Sequence, residues 1–107
     1  MNNAPWTAIA DPNRRAVLDV LRKRPCAVGE LQEALKISQP AASKHLKVLR
    51  EAGLVSVRVD AQRRIYAIET RAIQDLDFWL APFRALWNEG LEDLGAHLDT
   101  KHARKDH

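Results

Sequence analysis

Ser38-Gln39-Pro40-Ala41-Ala42-Ser43-Lys44-His45-Leu46-Lys47-Val48-Leu49-Arg50-Glu51-Ala52-Gly53-Leu54-Val55 is the stretch on which the fold turns. Ser38 is a favoured helix N-cap, and Gly53 supplies a left-handed stop, so the spacing predicts a helix from Gln39 to about Ala52. Ala42, Leu46 and Leu49 recur at i, i+4 and i+7 and must face inward, while Pro40, Ser43, Lys44 and Lys47 lie on the other side. One flank is core; the other is small, polar and cationic.

Upstream, Asp11-Pro12 opens a helix, since Asp caps well and Pro suits the first helical position. Val17, Leu18 and Leu21 follow at helical spacing and Pro25 stops the run, with Trp6 and Ile9 forming a short leading helix. Val28, Leu31, Ala34 and Leu35 mark a helix from Val28 to Leu35. Its start is weak: Glu30 suits a capping box, but Ala27 has no side-chain acceptor, a loss of about 1 kcal/mol. Lys36-Ile37 makes a tight connection to the helix that decides the fold.

Downstream, Leu54 to Val59 alternates as a half-buried strand does, Arg64 to Ile68 repeats the signal, and Asp60-Ala61-Gln62-Arg63 turns between them. From about Thr70 a long helix begins, striped by Ile73, Leu76, Leu80, Phe83, Trp87, Leu91, Leu94 and Leu98 and widened by Trp79 and Leu86. Pro82 should bend it or leave a carbonyl unpaired. The expected architecture is mainly α with a small β-hairpin, a winged helix-turn-helix in the order α-α-α-α-β-β-α. It is expected to occupy residues 1–107 as a single domain, with a recognition helix at 38–52, a wing at 54–68 and a dimerisation helix at 70–98.

Composition agrees with a small soluble domain. The chain has 107 residues, 46% hydrophobic and 29% charged, and no apolar run approaches the roughly 20 residues of a membrane span. The opening Met1-Asn2-Asn3-Ala4-Pro5-Trp6 has no basic region followed by an apolar block, which argues against a signal peptide. One Cys makes neither an internal disulfide nor a thiolate cage, so a cytoplasmic location without membrane association is expected. Residues 1–60 hold ten basic against six acidic groups and residues 61–107 seven against eight, so the basic excess lies in the front half, as suits contact with a polyanion. A Gly-rich phosphate loop, a nucleophile motif and a carboxylate pair in an evident pocket are all missing, so no enzyme and no cofactor are expected.

The segments Ala10 to Arg15, Val28 to Leu31, Ser38 to Val55 and Arg63-Arg64-Ile65-Tyr66 resemble the ArsR-type (arsenic-repressor-like) winged-helix regulators, and Pro82 to Trp87 resembles a branch of that family without metal sites. The resemblance implies a homodimer that binds double-stranded DNA at a pseudo-palindromic operator, usually as a repressor released by a small-molecule or protein effector. It also implies where metal would bind. The family's thiolate site falls on Ala27 and Gly29. Its last-helix site falls on Asp75-Leu76-Asp77, which lacks the His, and on His97, followed three residues later by Thr100. His97, His102 and His107 step by five, off one helical face, so no metal is expected.

Within this frame Gln39, Ser43 and Lys44 are the candidates for base edges: Gln matches adenine, Lys reaches guanine acceptors and Ser is adaptable. Ser38, Lys47, Arg50, Arg63 and Arg64 are candidates for phosphate or wing contact, and His45 is either a DNA contact or a structural hydrogen-bonding residue. Trp6, Ile73, Leu76, Trp79, Leu80, Phe83, Trp87 and Leu91 are the candidate dimer surface, the alternative being intramolecular packing. Ala61 stands where the family commonly has Gly, which puts a positive-φ wing turn under strain. Cys26 has two readings, an oxidant sensor or an inert thiol. A protein-interaction module that keeps the scaffold without reading DNA is the functional alternative.

Overall fold

The computed structural model describes residues 3–97, with side chains as far as residue 90. The elements are α1 (Ala4–Ile9), α2 (Pro12–Lys23), β1 (Cys26–Ala27), α3 (Val28–Leu35), α4 (Gln39–Glu51), β2 (Val55–Asp60), β3 (Arg63–Ile68) and α5 (Thr70–His97). The chain divides into two compact units at Gln74, inside α5.

In the first unit, Asp11 caps α2 by accepting from the Asn13 N–H at 2.7 Å. Ser38 caps α4 by accepting from the Ala41 N–H at 3.2 Å, and Pro40 sits in that first turn, where the helix lacks an internal acceptor for an N–H. Gly53 ends α4 at φ 80°. Around it the Leu54 N–H donates to the Leu49 carbonyl at 2.9 Å and the Gly53 N–H to that of Arg50 at 3.0 Å, the paired bonds of a Schellman stop. Leu49 and Leu54, the two residues such a stop brings together, are both buried. At the end of α3 the left-handed position falls on Lys36, φ 57°.

The sheet has three strands where the alternation shows two. Its order is β1-β3-β2, all antiparallel, with Cys26 opposite Tyr66 and Ala27 opposite Ile65 on one side, and Val55 opposite Ile68 through Asp60 opposite Arg63 on the other. Two residues are too few to display a period of two, so β1 is invisible in the sequence; the free edge of β3 makes it a strand. Asp60 and Arg63 are paired, which leaves a two-residue loop, Ala61-Gln62. Only Ala61, φ 58°, has a positive φ there, the pattern of a type II′ turn.

The core draws one or more residues from every element of this unit before α5: Ala8, Val17, Leu21, Cys26, Leu31, Ala42, Leu46, Leu49, Leu54, Val55, Ile65 and Tyr66. Arg14 and Arg15 fasten α1 to α2. The Arg14 Nε donates to the Ala8 carbonyl at 2.7 Å and an Arg15 N–H to that of Ile9 at 2.8 Å, filling the unpaired C-terminal carbonyls of α1. Two cations of the basic front half are thereby spent on structure.

In the second unit α5 runs through Pro82 as one continuous element. The proline has no N–H to offer the Phe78 carbonyl one turn back. Two side-chain pairs span the same turn, the Arg84–Asp77 ion pair and the Trp79 and Phe83 rings, whose centroids lie 4.6 Å apart. Leu76 is buried and Leu80 half-buried. The side chains of Leu91, Leu94 and His97 fall outside the described residues, as do Leu98, His102 and His107 entirely. No helix among the described residues is long and apolar enough to cross a membrane.

Candidate nucleic-acid interface

With Ala42, Leu46 and Leu49 turned into the core, α4 presents Gln39, Pro40, Lys44 and Lys47 as exposed side chains, with Ser43 half-buried among them. Beside this flank lies an open groove of about 550 Å³, walled by Ser43, Leu46, Lys47, Arg50 and Glu51 from α4 and by Arg64 and Tyr66 from β3. Four of the predicted contact residues, Ser43, Lys47, Arg50 and Arg64, thus share one concavity. Three of them are cationic against one carboxylate, Glu51. A groove of that sign, beside an exposed polar and cationic helix flank, can take a phosphate backbone.

Strand geometry separates the two wing arginines. Successive residues of β3 point to opposite faces, so Arg64 shares a face with Tyr66 and, through the register, with Val57 and Val59. Arg63 lies on the other face with Ile65 and Arg58. There it donates to Glu30 Oε1 at 3.1 Å, while Glu30 Oε2 accepts from Arg24 at 2.8 Å and Oε1 also accepts from the Ala27 N–H at 2.8 Å. The last bond is the half of a capping box that an N3 glutamate makes without help from Ala27. The Ala27 N–H, and then Arg24, hold the Glu30 carboxyl below the usual carboxylate range. Arg63 is therefore engaged with a carboxylate, and Arg64 is the wing arginine that faces α4.

His45 is half-buried, with its Nδ1 buried and lacking a hydrogen-bond partner among the described residues. Asp11 is held below the usual carboxylate range by the Asn13 N–H, then by the charge of Arg14, with a smaller contribution from His45. Cys26 is buried, its Sγ donates to the Arg24 carbonyl at 3.3 Å, and burial pushes the thiol pKa up. That environment suppresses the thiolate and favours the inert reading. Ser38 is exposed, and its Oγ accepts the capping bond while its O–H remains a donor.

Tyr66, Arg58 and Val59 are residues the sequence reading passed over. Tyr66 lines the groove, while Arg58 and Val59 stand exposed on opposite faces of the wing. Strand parity was the available signal: once Arg64 is placed on the α4 side, Tyr66 must follow it and Arg63 and Arg58 must not. In α5, Phe78 is 82% exposed and Leu86 65%, beside Trp79, Phe83 and Trp87. Phe78 escaped notice because it sits off the predicted stripe. Among the described residues, no three His, Cys, Asp or Glu side chains are grouped to hold a metal ion.

The family model described as "Bacterial regulatory protein, arsR family" matches residues 11–57, from the α2 cap into β2. The HTH-type transcriptional regulator Rv2034 of Mycobacterium tuberculosis is 46% identical over 79 residues, 69% of this chain and 74% of that protein. The transcriptional repressor SdpR of Bacillus subtilis is 36% identical over 94 residues, 88% of this chain and all of that protein. Among solved structures, the crystal structure of an ArsR family transcriptional regulator, RHA00566, superposes with a TM-score of 0.69 at 34% identity, covering 80% of this chain and 94% of that one.

Proposed function

This chain belongs to the ArsR family of bacterial regulatory proteins, DNA-binding transcriptional regulators and not enzymes, and from that premise we propose that it acts as a homodimeric repressor on a pseudo-palindromic operator. Gln39 and Lys44, with Ser43 between them, meet base edges from the N-terminal half of α4, and Lys47, Arg50 and Arg64 meet phosphates along the groove. The observation that carries this is the groove itself, where three cations from α4 and β3 converge beside an exposed, short-chained helix flank. Basic side chains on both walls can straddle a phosphate backbone while the helix N-terminus enters the major groove.

Dimerisation runs through the last helix. Trp79, Phe83, Leu86 and Trp87 leave a large apolar area open to water, and a twofold contact with a second copy would cover it on both chains. A twofold pair spaces two recognition helices about 34–36 Å apart, one turn of DNA. Trp6, Ile73, Leu80 and Leu91 complete the proposed surface, while Leu76, expected there too, is already buried in the single chain. Release comes from an effector other than a metal ion: Ala27 and Gly29 have no donor side chains, and Asp77 stands where the last-helix site requires His.

Selection of bound duplexes from a random pool tests the reading. The expected product is an inverted repeat with half-sites one helical turn apart, bound more weakly as salt rises because several phosphate contacts release counterions. Recovery of no preferred sequence, with a monomer in solution, would overturn it in favour of a protein-interaction module.

A further inference from the structure

Glu30, in the first turn of α3, accepts from three donors: the Ala27 N–H at 2.8 Å and Arg63 at 3.1 Å on Oε1, and Arg24 at 2.8 Å on Oε2. Arg24 ends α2, and Arg63 directly follows the two-residue turn of the wing. The bond from Ala27 seats the carboxylate at the helix start, so its arginine partners find it already in place. Arg63 is 60% exposed, so its side of the pair can open into solvent. Helix α3 is the first of the helix-turn-helix, and in that motif the first helix crosses the DNA backbone while the second enters the major groove. Arginines are common phosphate contacts there. A phosphate that reaches the start of α3 therefore competes with Glu30 for Arg63.

Resting on the operator-reading function above, we propose that Glu30 is an internal competitor of DNA: its carboxylate withholds Arg63 from the phosphate backbone and so restrains the protein's sequence-independent affinity. Two arginines share this one carboxylate, so the cluster keeps a single positive charge in excess where three unpaired residues would offer two cations to a phosphate. Exposed pairs of this kind are weak, so the restraint is worth a few-fold in binding. Glu30→Gln isolates the charge from the cap. The amide oxygen still accepts the Ala27 N–H, as glutamine does in a capping box, and α3 keeps its start. A neutral acceptor holds a guanidinium about half as strongly as a carboxylate, which releases Arg63.

The test measures binding to a random-sequence duplex by fluorescence anisotropy over a salt series, for wild type, Glu30→Gln, Arg63→Ala and the double variant. Glu30→Gln is expected to bind about fivefold more tightly than wild type at low salt, and to steepen the salt dependence by about one counterion per protomer, because Arg63 gains a phosphate. In the Arg63→Ala background the same Glu30→Gln substitution is expected to leave the slope where Arg63→Ala sets it. That comparison separates the release of Arg63 from the mere loss of a negative charge, which lowers repulsion with or without Arg63. A slope that does not steepen in Glu30→Gln, or that steepens equally without Arg63, overturns this inference alone. A wild-type protein that binds no duplex even at low salt overturns the operator-reading function, and this inference with it.

Discussion

Helices α4 and α5 are both apolar along one side, yet they end in opposite conditions. In α4, the apolar residues at i, i+4 and i+7 are all sealed: Ala42, Leu46 and Leu49 are 1% exposed or less. In α5, Phe78, Leu86 and Trp87 are 82%, 65% and 52% exposed, and Trp79 and Phe83 also stand open. Periodicity records that a side chain seeks cover; it does not record what supplies the cover. For α4 the cover is the remainder of its own unit, and its polar flank is left for a partner. For α5 large apolar side chains themselves remain outward among the described residues, and the proposed twofold contact rests on them.

Truncation should separate the two helices most sharply. Leu46→Ala is expected to cost about 2–5 kcal/mol of folding stability, because it opens a cavity among sealed side chains; chemical denaturation of each variant measures it, and a loss below 1 kcal/mol would break the comparison. Trp87→Ala should barely alter the fold of the single chain but raise the dimer dissociation constant about 1,000-fold, the effect of losing two symmetry-related hot-spot aromatics of about 2 kcal/mol each. Sedimentation equilibrium reads that shift, and an unaltered association constant would place the dimer contact elsewhere. The wing sharpens the comparison at smaller scale. Arg64→Ala should weaken binding to all duplexes and lower the salt slope by about one per protomer, whereas Arg63→Ala, already engaged by Glu30, should change the slope little. Equal slopes for the two variants would show that strand parity does not govern DNA contact. The smallest effect is at the turn: Ala61→Gly should stabilise the protein by about 1 kcal/mol, since glycine adopts φ 58° without the steric cost alanine bears there. Thermal unfolding detects that gain, and a loss would show that the turn tolerates alanine.

Most of the fold was legible because its signals are local. Asp11, Ser38 and Gly53 act within a turn or two of themselves, and each does in the structure what its residue type suggests. The site was legible in part. Gln39, Lys44 and Lys47 follow from helical phase alone, but the division between Arg63 and Arg64 required the register of β3, and the engagement of Arg63 required Glu30, 33 residues away in the chain. A comparable separation along the chain hid the pairing with β3 that turns Cys26-Ala27 into a strand, whereas the bonds of Glu30 to Arg24 and to the Ala27 N–H are local. Arg14 and Arg15 count toward the basic excess of the front half, yet the carbonyls at the end of α1 claim them.

The amino-acid order alone determined where helices begin and stop, which face of α4 turns inward, where the hairpin bends and which family the chain resembles, because capping, helical phase and turn chemistry act over a few residues. The tertiary structure alone decided that β3 gains a second neighbour and that one wing arginine is held by Glu30 while the next walls a groove with Lys47 and Arg50. Those outcomes depend on distances between atoms whose positions are set by packing, and no periodicity in the chain encodes such distances.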